Sequence, residues 1–246
     1  MCSSDLYAGV YDAYGLLKKN TVLAHAVHLE EEEIEMINKR KAGVSHCPTS
    51  NFNLRSGCAR VGLLVDRGIK VRISCPTFLS SCKLTQVCPT AQVGLGTDVS
   101  GGFSPSILTA VQHASIASKV VAMHHGSPPA STTTFASRQL PISALFYLAT
   151  QGGADVCDLS QRIGSLEPGK AFDALLVNLR SDAGNPNIWG VDWDSELGVA
   201  QTGGKTERQV LEAQLERFLF TGDDRNIKRV YVQGRLVGGK EFTRSM

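Results

Sequence analysis

Three residues in this chain are of types that bind metal ions and move protons, and each sits at the end of a short apolar run. His25 follows Thr21-Val22-Leu23-Ala24, His46 lies in Val44-Ser45-His46-Cys47, and Asp98 follows Val93-Gly94-Leu95-Gly96-Thr97. An imidazole in such a place can ligate zinc or hold a proton. A carboxylate can ligate a divalent ion or take a proton from the water that ion activates. In parallel α/β proteins, ligands bind at the carboxyl ends of the strands. His25 and Asp98 are the pair this chemistry wants: one group to bind metal, one to orient or protonate what the metal activates. Each residue also has an ordinary alternative. Asp is a favoured helix N-cap, and Asp98 precedes the glycine-rich Val99-Ser100-Gly101-Gly102 and a helix opened by Ser104-Pro105-Ser106. A lone strand-end histidine is more often a hydrogen-bonded structural residue than a ligand, but three such residues on successive strand ends favour a site. Val93, Gly94 and Leu95 offer no polar neighbour to fix Asp98 from below.

The elements that must position these residues alternate. Residues 1–20 carry Tyr7, Val10, Tyr11, Tyr14, Leu16 and Leu17, a three-and-four spacing that predicts an amphipathic helix. It is a helix in need of a sheet, with no strand before it, which leads us to expect a preceding segment. The strand ending at His25 comes next. Glu30 to Glu33 then open a helix running through Lys41, with acid at its N-terminus and base at its C-terminus as the macrodipole favours, closed by Gly43. After the His46 strand, Pro48-Thr49-Ser50-Asn51 reads as a turn. Val61 to Val65 read as a helix ended by Gly68, and Ile69-Lys70-Val71 as the start of the strand that finishes at Asp98. Strand, helix, strand in this order implies right-handed βαβ units and a parallel sheet.

Residues 72–92 break the pattern, carrying Cys75, Cys82 and Cys88 and no helical or strand period. Without residues 71–92, Ile69-Lys70 would run directly into Val93-Gly94-Leu95 as one strand. Val71-Arg72, Leu84-Thr85 and Gln92 can encode a 5′ splice signal, a branch signal and a 3′ end. A translated, unspliced intron is therefore one reading and a long surface loop near an active site is the other. Beyond it, residues 107–125 form a helix, with His113, His124 and His125 on or after it as surface or core residues. Gly126 to Arg138 is a loop, and Leu140 to Leu159 is helical. From Ile163 the texture changes. Phe172 to Val177 is a strand, Glu207 to Thr221 a helix, and Lys228 to Val237 a hairpin turning at Gln233-Gly234, with Asp223-Asp224-Arg225 a solvated loop. We divide the chain into residues 1–162 and a small β-unit, 163–246.

The composition is that of a globular protein. Lys+Arg 25 against Asp+Glu 23 argues against nucleic acid or an anionic membrane as partner. Seven cysteines without framework spacing, no signal peptide and no membrane-length apolar run point to the cytoplasm.

With these residues placed, the chain resembles the guanine deaminases of the amidohydrolase superfamily. The resemblance rests on Val22 to His25, His46 to Asn51, Gly94 to Gly102, Leu148 to Gly153, Gly164 to Lys170, Phe172-Asp173-Ala174 and Gly222 to Ile227 leading into Val230 to Gly234. It implies an α/β fold, the C-terminal part of a TIM-like (β/α)8 barrel with a small β-sandwich. It implies one zinc ion, guanine as substrate, hydrolysis to xanthine and ammonia, and a homodimer. Asp98 would be a zinc ligand and proton acceptor, and His25 would sit beside the attacking water. His46 would line the next strand end, in a structural role or a chemical one. The family's His-x-His pair, and its later ligand His followed by an acid, have no counterpart here. A catalytic zinc keeps three protein ligands, so the isolated chain is expected to bind zinc weakly and not to deaminate guanine. Other amidohydrolases acting on adenosine derivatives or triazines are the alternative enzyme reading. A non-catalytic fragment that associates with the full-length enzyme is the alternative of another class.

Overall fold

The structure, a computed structural model, describes residues 6–67, 92–125, 134–136, 139–188 and 206–243. Two compact units divide the chain, Met1–Ser165 and Leu166–Met246.

The first unit is built on three parallel strands, β1 (Val22–Ala24), β2 (Gly43–His46) and β3 (Val93–Leu95), in the order β1-β2-β3. The register pairs Leu23 with Val44 and His46 with Leu95. Val44 on β2 and its register partner Val93 on β3 are wholly buried, as a helix-covered parallel sheet requires. Helices α1 (Tyr7–Ala13), α2 (Glu31–Arg40), α3 (Pro48–Asn53), α4 (Val61–Asp66), α5 (Ile107–His125), α6 (Ile142–Ala149) and α7 (Gln151–Val156) complete the unit. The expected strand–helix alternation and parallel pairing are present. Ile69-Lys70-Val71 and all of the 71–92 segment except Gln92 lie outside the described residues. The Gln92 carbonyl accepts the Val44 amide, joining this residue to β2 just before β3 begins.

Several local expectations need correction. α1 is shorter than residues 1–20, and its apolar face is turned outward: Tyr7 and Tyr14 are 83% and 79% exposed, while Ala8, Gly9 and Leu17 are buried. The small residues win because they let α1 lie close to α2, where the buried Glu33 carboxylate accepts the Ala8 amide at 3.0 Å and the Glu30 amide at 3.0 Å. α2 is closed by Lys41 in the left-handed region (φ 59°), and Gly43 belongs to β2. A Cβ on Gly43 would lie 3.1 Å from the Val156 side chain, so that glycine serves sheet–helix packing. Pro48 to Asn51 are not a turn but most of α3: proline at the first helical position is preorganised for helix. The single helical stretch expected from Leu140 to Leu159 breaks at Thr150, where φ is −126° and ψ −94°. The Thr150 hydroxyl donates back to the Phe146 carbonyl at 2.8 Å. Beyond the break, Gly152 and Gly153 press onto β3. A Cβ on Gly152 would sit 2.5 Å from the Val93 carbonyl oxygen, and one on Gly94 would sit 2.8 Å from the Gly153 Cα.

In the second unit β4 (Ala174–Val177), β5 (Ile227–Val232) and β6 (Arg235–Gly238) form one antiparallel sheet in that order, and α8 spans Glu207–Thr221. Among the described residues this is a single sheet. The hairpin turns at Gln233 and Gly234, φ 50° and 76°, as two-residue turns demand. Asp223-Asp224-Arg225 is more ordered than a solvated loop. It enters a 3₁₀ turn, Asp224–Asn226, whose Asn226 side chain is fully buried. Asn226 Nδ2 donates to the Asn178 carbonyl at 2.7 Å, and its Oδ1 accepts from Asn185 Nδ2 at 2.7 Å and from the Asp223 amide at 3.1 Å.

Candidate active site

The three polar strand ends lie side by side because the three strands do. His25 continues the β1 ladder by donating its amide to the Ser45 carbonyl, and Gly96 continues β3 by donating to the His46 carbonyl. Each chain then leaves the sheet sharply. His25, Ala26 and Asp98 all have positive φ, at 69°, 51° and 46°. His and Asp tolerate the left-handed region better than most residues; for Ala26 it is an uphill conformation held by its surroundings.

These turns bring His25 Nε2 to 3.7 Å from Asp98 Oδ2, with both side chains about two-fifths exposed. Asp98 is not a helix cap: α5 begins nine residues later, at Ile107, and the carboxylate instead accepts the Ser50 hydroxyl at 2.6 Å. Gly101 lies over that bond, where a Cβ would come within 2.6 Å of Asp98 Oδ2. His25 Nδ1 meets Asn51 Oδ1 at 2.9 Å. His28 points elsewhere, to the Ser56 carbonyl.

His46 does not join them. It is 1% exposed, and neither ring nitrogen has a hydrogen-bond partner among the described residues. It lines a cavity with Ala59, Ala114, Ser118 and Phe135 that has space for roughly one water. Burial, with a smaller contribution from the neighbouring His25, pulls its pKa down to about 4. It is therefore a neutral core histidine, sealed off from the half-exposed pair.

Sequence reasoning passed over α3. Thr49, Ser50 and Asn51 are each at most 2% exposed. Thr49 Oγ1 pairs with His113 Nδ1 at 2.8 Å, Ser50 with Asp98, Asn51 with His25, and Asn53 Nδ2 donates to the Gly101 carbonyl at 2.7 Å. The only signal was the run of consecutive small polar residues directly after a strand-end histidine, which reads as a turn.

The family model for the amidohydrolase family matches residues 3–237, nearly the whole chain. The chain belongs to the amidohydrolase family. A probable guanine deaminase of Schizosaccharomyces pombe is 42% identical over 236 residues, covering 96% of this amidohydrolase chain and 36% of its own length. Among solved structures, the E. coli guanine deaminase superposes with a TM-score of 0.66 at 29% identity, covering 96% of this chain and 43% of that one. The C. acetobutylicum guanine deaminase with guanine bound in its active site gives 0.64 at 29%, with the same coverage of 96% and 43%. An adenosine deaminase of Xanthomonas campestris with bound zinc shares the fold at 20% identity, TM-score 0.62, over 95% of this chain and 41% of that one. The amidohydrolase chain thus spans about two-fifths of the length of the proteins it matches.

The described residues fit a zinc ion only in part. Asp98 offers a carboxylate oxygen beside an imidazole, but no group of three His, Cys, Asp or Glu gathers among the described residues. Among them, too, no helix is long and apolar enough to cross a membrane.

Proposed function

We propose that this chain carries the proton-transfer pair of a guanine deaminase, which hydrolyses guanine with one water to xanthine and ammonia. The observation that carries the reading is the approach of His25 Nε2 to within 3.7 Å of Asp98 Oδ2, from the ends of the two strands that flank β2. In this reading β1 to β3 belong to a (β/α)8 barrel whose strand ends open on the substrate. Asp98 takes the proton of the attacking water and returns it toward the departing amine. His25, held half-exposed beside it, orients the water through Nε2. Zinc, if bound with Asp98 as one of its ligands, would supply a water acidified to a pKa of about 7. His46 takes no part, since a neutral ring sealed in the core cannot reach substrate. The guanine deaminase relatives and the guanine-bound neighbour support the choice of substrate.

The test is a chimera in which this chain replaces the matching segment of the S. pombe relative. It should release ammonia from guanine and form xanthine. Asp98→Asn should abolish turnover, and His25→Ala should lower it at least ~100-fold, in the range general acid–base groups contribute. A folded, zinc-loaded chimera that leaves guanine intact while hydrolysing adenosine derivatives or triazines would overturn the assignment. The purified chain alone, with no three-donor group among its described residues, should hold zinc weakly and leave guanine unchanged. Turnover by the isolated chain that Asp98→Asn removes would refute that second expectation.

A further inference from the structure

Helix α3 touches both members of the His25–Asp98 pair from consecutive positions, and this contact says which atoms of the pair face outward. Asn51 is 2% exposed, and its amide oxygen lies 2.9 Å from His25 Nδ1. An amide oxygen only accepts, so the Nδ1 opposite it must carry the proton. The neutral ring then has its lone pair on Nε2, the nitrogen that looks toward Asp98 and the solvent. A lone pair and a carboxylate oxygen do not attract. The 3.7 Å between them is accordingly too long for a direct hydrogen bond and leaves room for a donor on the open side. Ser50 acts on the other member. Its hydroxyl, on a fully buried residue, donates to Asp98 Oδ2, so that oxygen is engaged and Oδ1 is left to meet a ligand or a proton.

We infer that Asn51 is a positioning residue for the proposed reaction, holding His25 in the Nδ1–H tautomer so that Nε2 faces the reaction space as an acceptor, while Ser50 fixes the Asp98 carboxylate beside it. The inference rests on the guanine deaminase reading for its chemistry but not for its test. The Asn51 amide nitrogen has no hydrogen-bond partner among the described residues. Backbone geometry holds Asn51 in place: its amide donates to the Cys47 carbonyl at 3.0 Å and its carbonyl accepts the Ser56 amide at 2.9 Å. The tautomer is therefore set by the start of α3.

Long-range ¹H–¹⁵N correlation spectra of the whole chain at neutral pH, without zinc or guanine, decide it. The six histidines are few enough to assign, and His25→Gln identifies the His25 ring signals by their loss. The wild type should show one His25 tautomer, with Nδ1 protonated and Nε2 bare. Asn51→Asp, which keeps an acceptor at the same place, should keep Nδ1 protonated, with its carboxylate favouring a second proton on Nε2. Asn51→Leu should release the ring into a mixture of both tautomers while the other histidine signals stay in place. Ser50→Ala should leave the His25 tautomer unchanged. A wild-type ring protonated at Nε2, or already a mixture, overturns the inference even if Asn51→Leu fails to fold. Because no turnover is read, a chimera inactive on guanine would sink the functional assignment and leave the tautomer result standing.

Discussion

The Ser50 hydroxyl donates to Asp98 Oδ2 at 2.6 Å across two elements 48 residues apart in sequence. The carboxylate is thereby fixed from the side by α3, since nothing on its own strand can do so. Ser50→Ala in the guanine-active chimera should lower kcat about 10-fold with little change in KM. That is the loss of one hydrogen bond to a charged group, about 1.5 kcal/mol. Steady-state kinetics beside a zinc content measurement will check it. A drop confined to KM would mean that the bond serves binding rather than orientation.

His46 gives the chain an acid sensitivity with a defined window. Its folded pKa lies near 4 against an ordinary 6.5, so between these values the unfolded chain binds a proton that the folded chain refuses. Stability should be flat with respect to this group above pH 6.5, fall as pH drops toward 4, and level off below, by about 3 kcal/mol in all. Urea unfolding from pH 7 to 4.5 should show the fall in the wild type. In His46→Leu the slope over this window should shrink.

Two adjacent glycines in α7 should respond in opposite ways. Ala at position 152 forces a methyl to 2.5 Å from the Val93 backbone oxygen, which cannot step aside without moving β3. Gly152→Ala should cost about 3 kcal/mol, at the upper end of overpacking losses. A Cβ on Gly153 has its nearest neighbour at 3.9 Å. Gly153→Ala should be neutral or stabilise by up to ~1 kcal/mol through helix propensity. Thermal or urea denaturation of the two variants side by side will show whether the contact or the composition matters.

In the second unit, Asn226→Ala should be among the most damaging single changes. It strands the buried Asn178 carbonyl and removes the acceptor of Asn185 Nδ2 and of the Asp223 amide. The expected loss is about 2–4 kcal/mol, because unsatisfied buried groups cost more than the bonds they made. Hydrogen exchange at the Asn178 and Asn226 amides should report it as local opening.

The strand–helix alternation, the parallel pairing and the strand-end position of His25 and Asp98 were legible in the sequence because they follow from local pattern. Short apolar runs end in a polar residue, helices start on acid and end on base, and a parallel sheet needs a helix between strands. The hairpin at Gln233-Gly234 and helices α5 and α8 were legible for the same reason. What the sequence could not show depended on partners distant along the chain. Pro48 to Asn51 carry the residues of a turn and become helix where the buried Thr49, Ser50 and Asn51 each find a partner on a different part of the chain. Histidine ends both β1 and β2, yet one ring faces solvent and the other is sealed in a cavity. Ala24 lies beside Ser45, so alternation alone would put both rings on one face; they part because the backbone turns away at His25, φ 69°, while His46 stays within β2. The apolar periodicity of residues 7–17 promised a buried face, but Ala8 and Gly9 set the packing because close approach to α2 needs small side chains. Residue types and their order along the chain thus determined which groups this protein has for chemistry and at which strand ends they stand. Only the tertiary structure decided which of them meet, because hydrogen bonds between buried side chains are fixed by where the elements pack and not by their spacing in sequence.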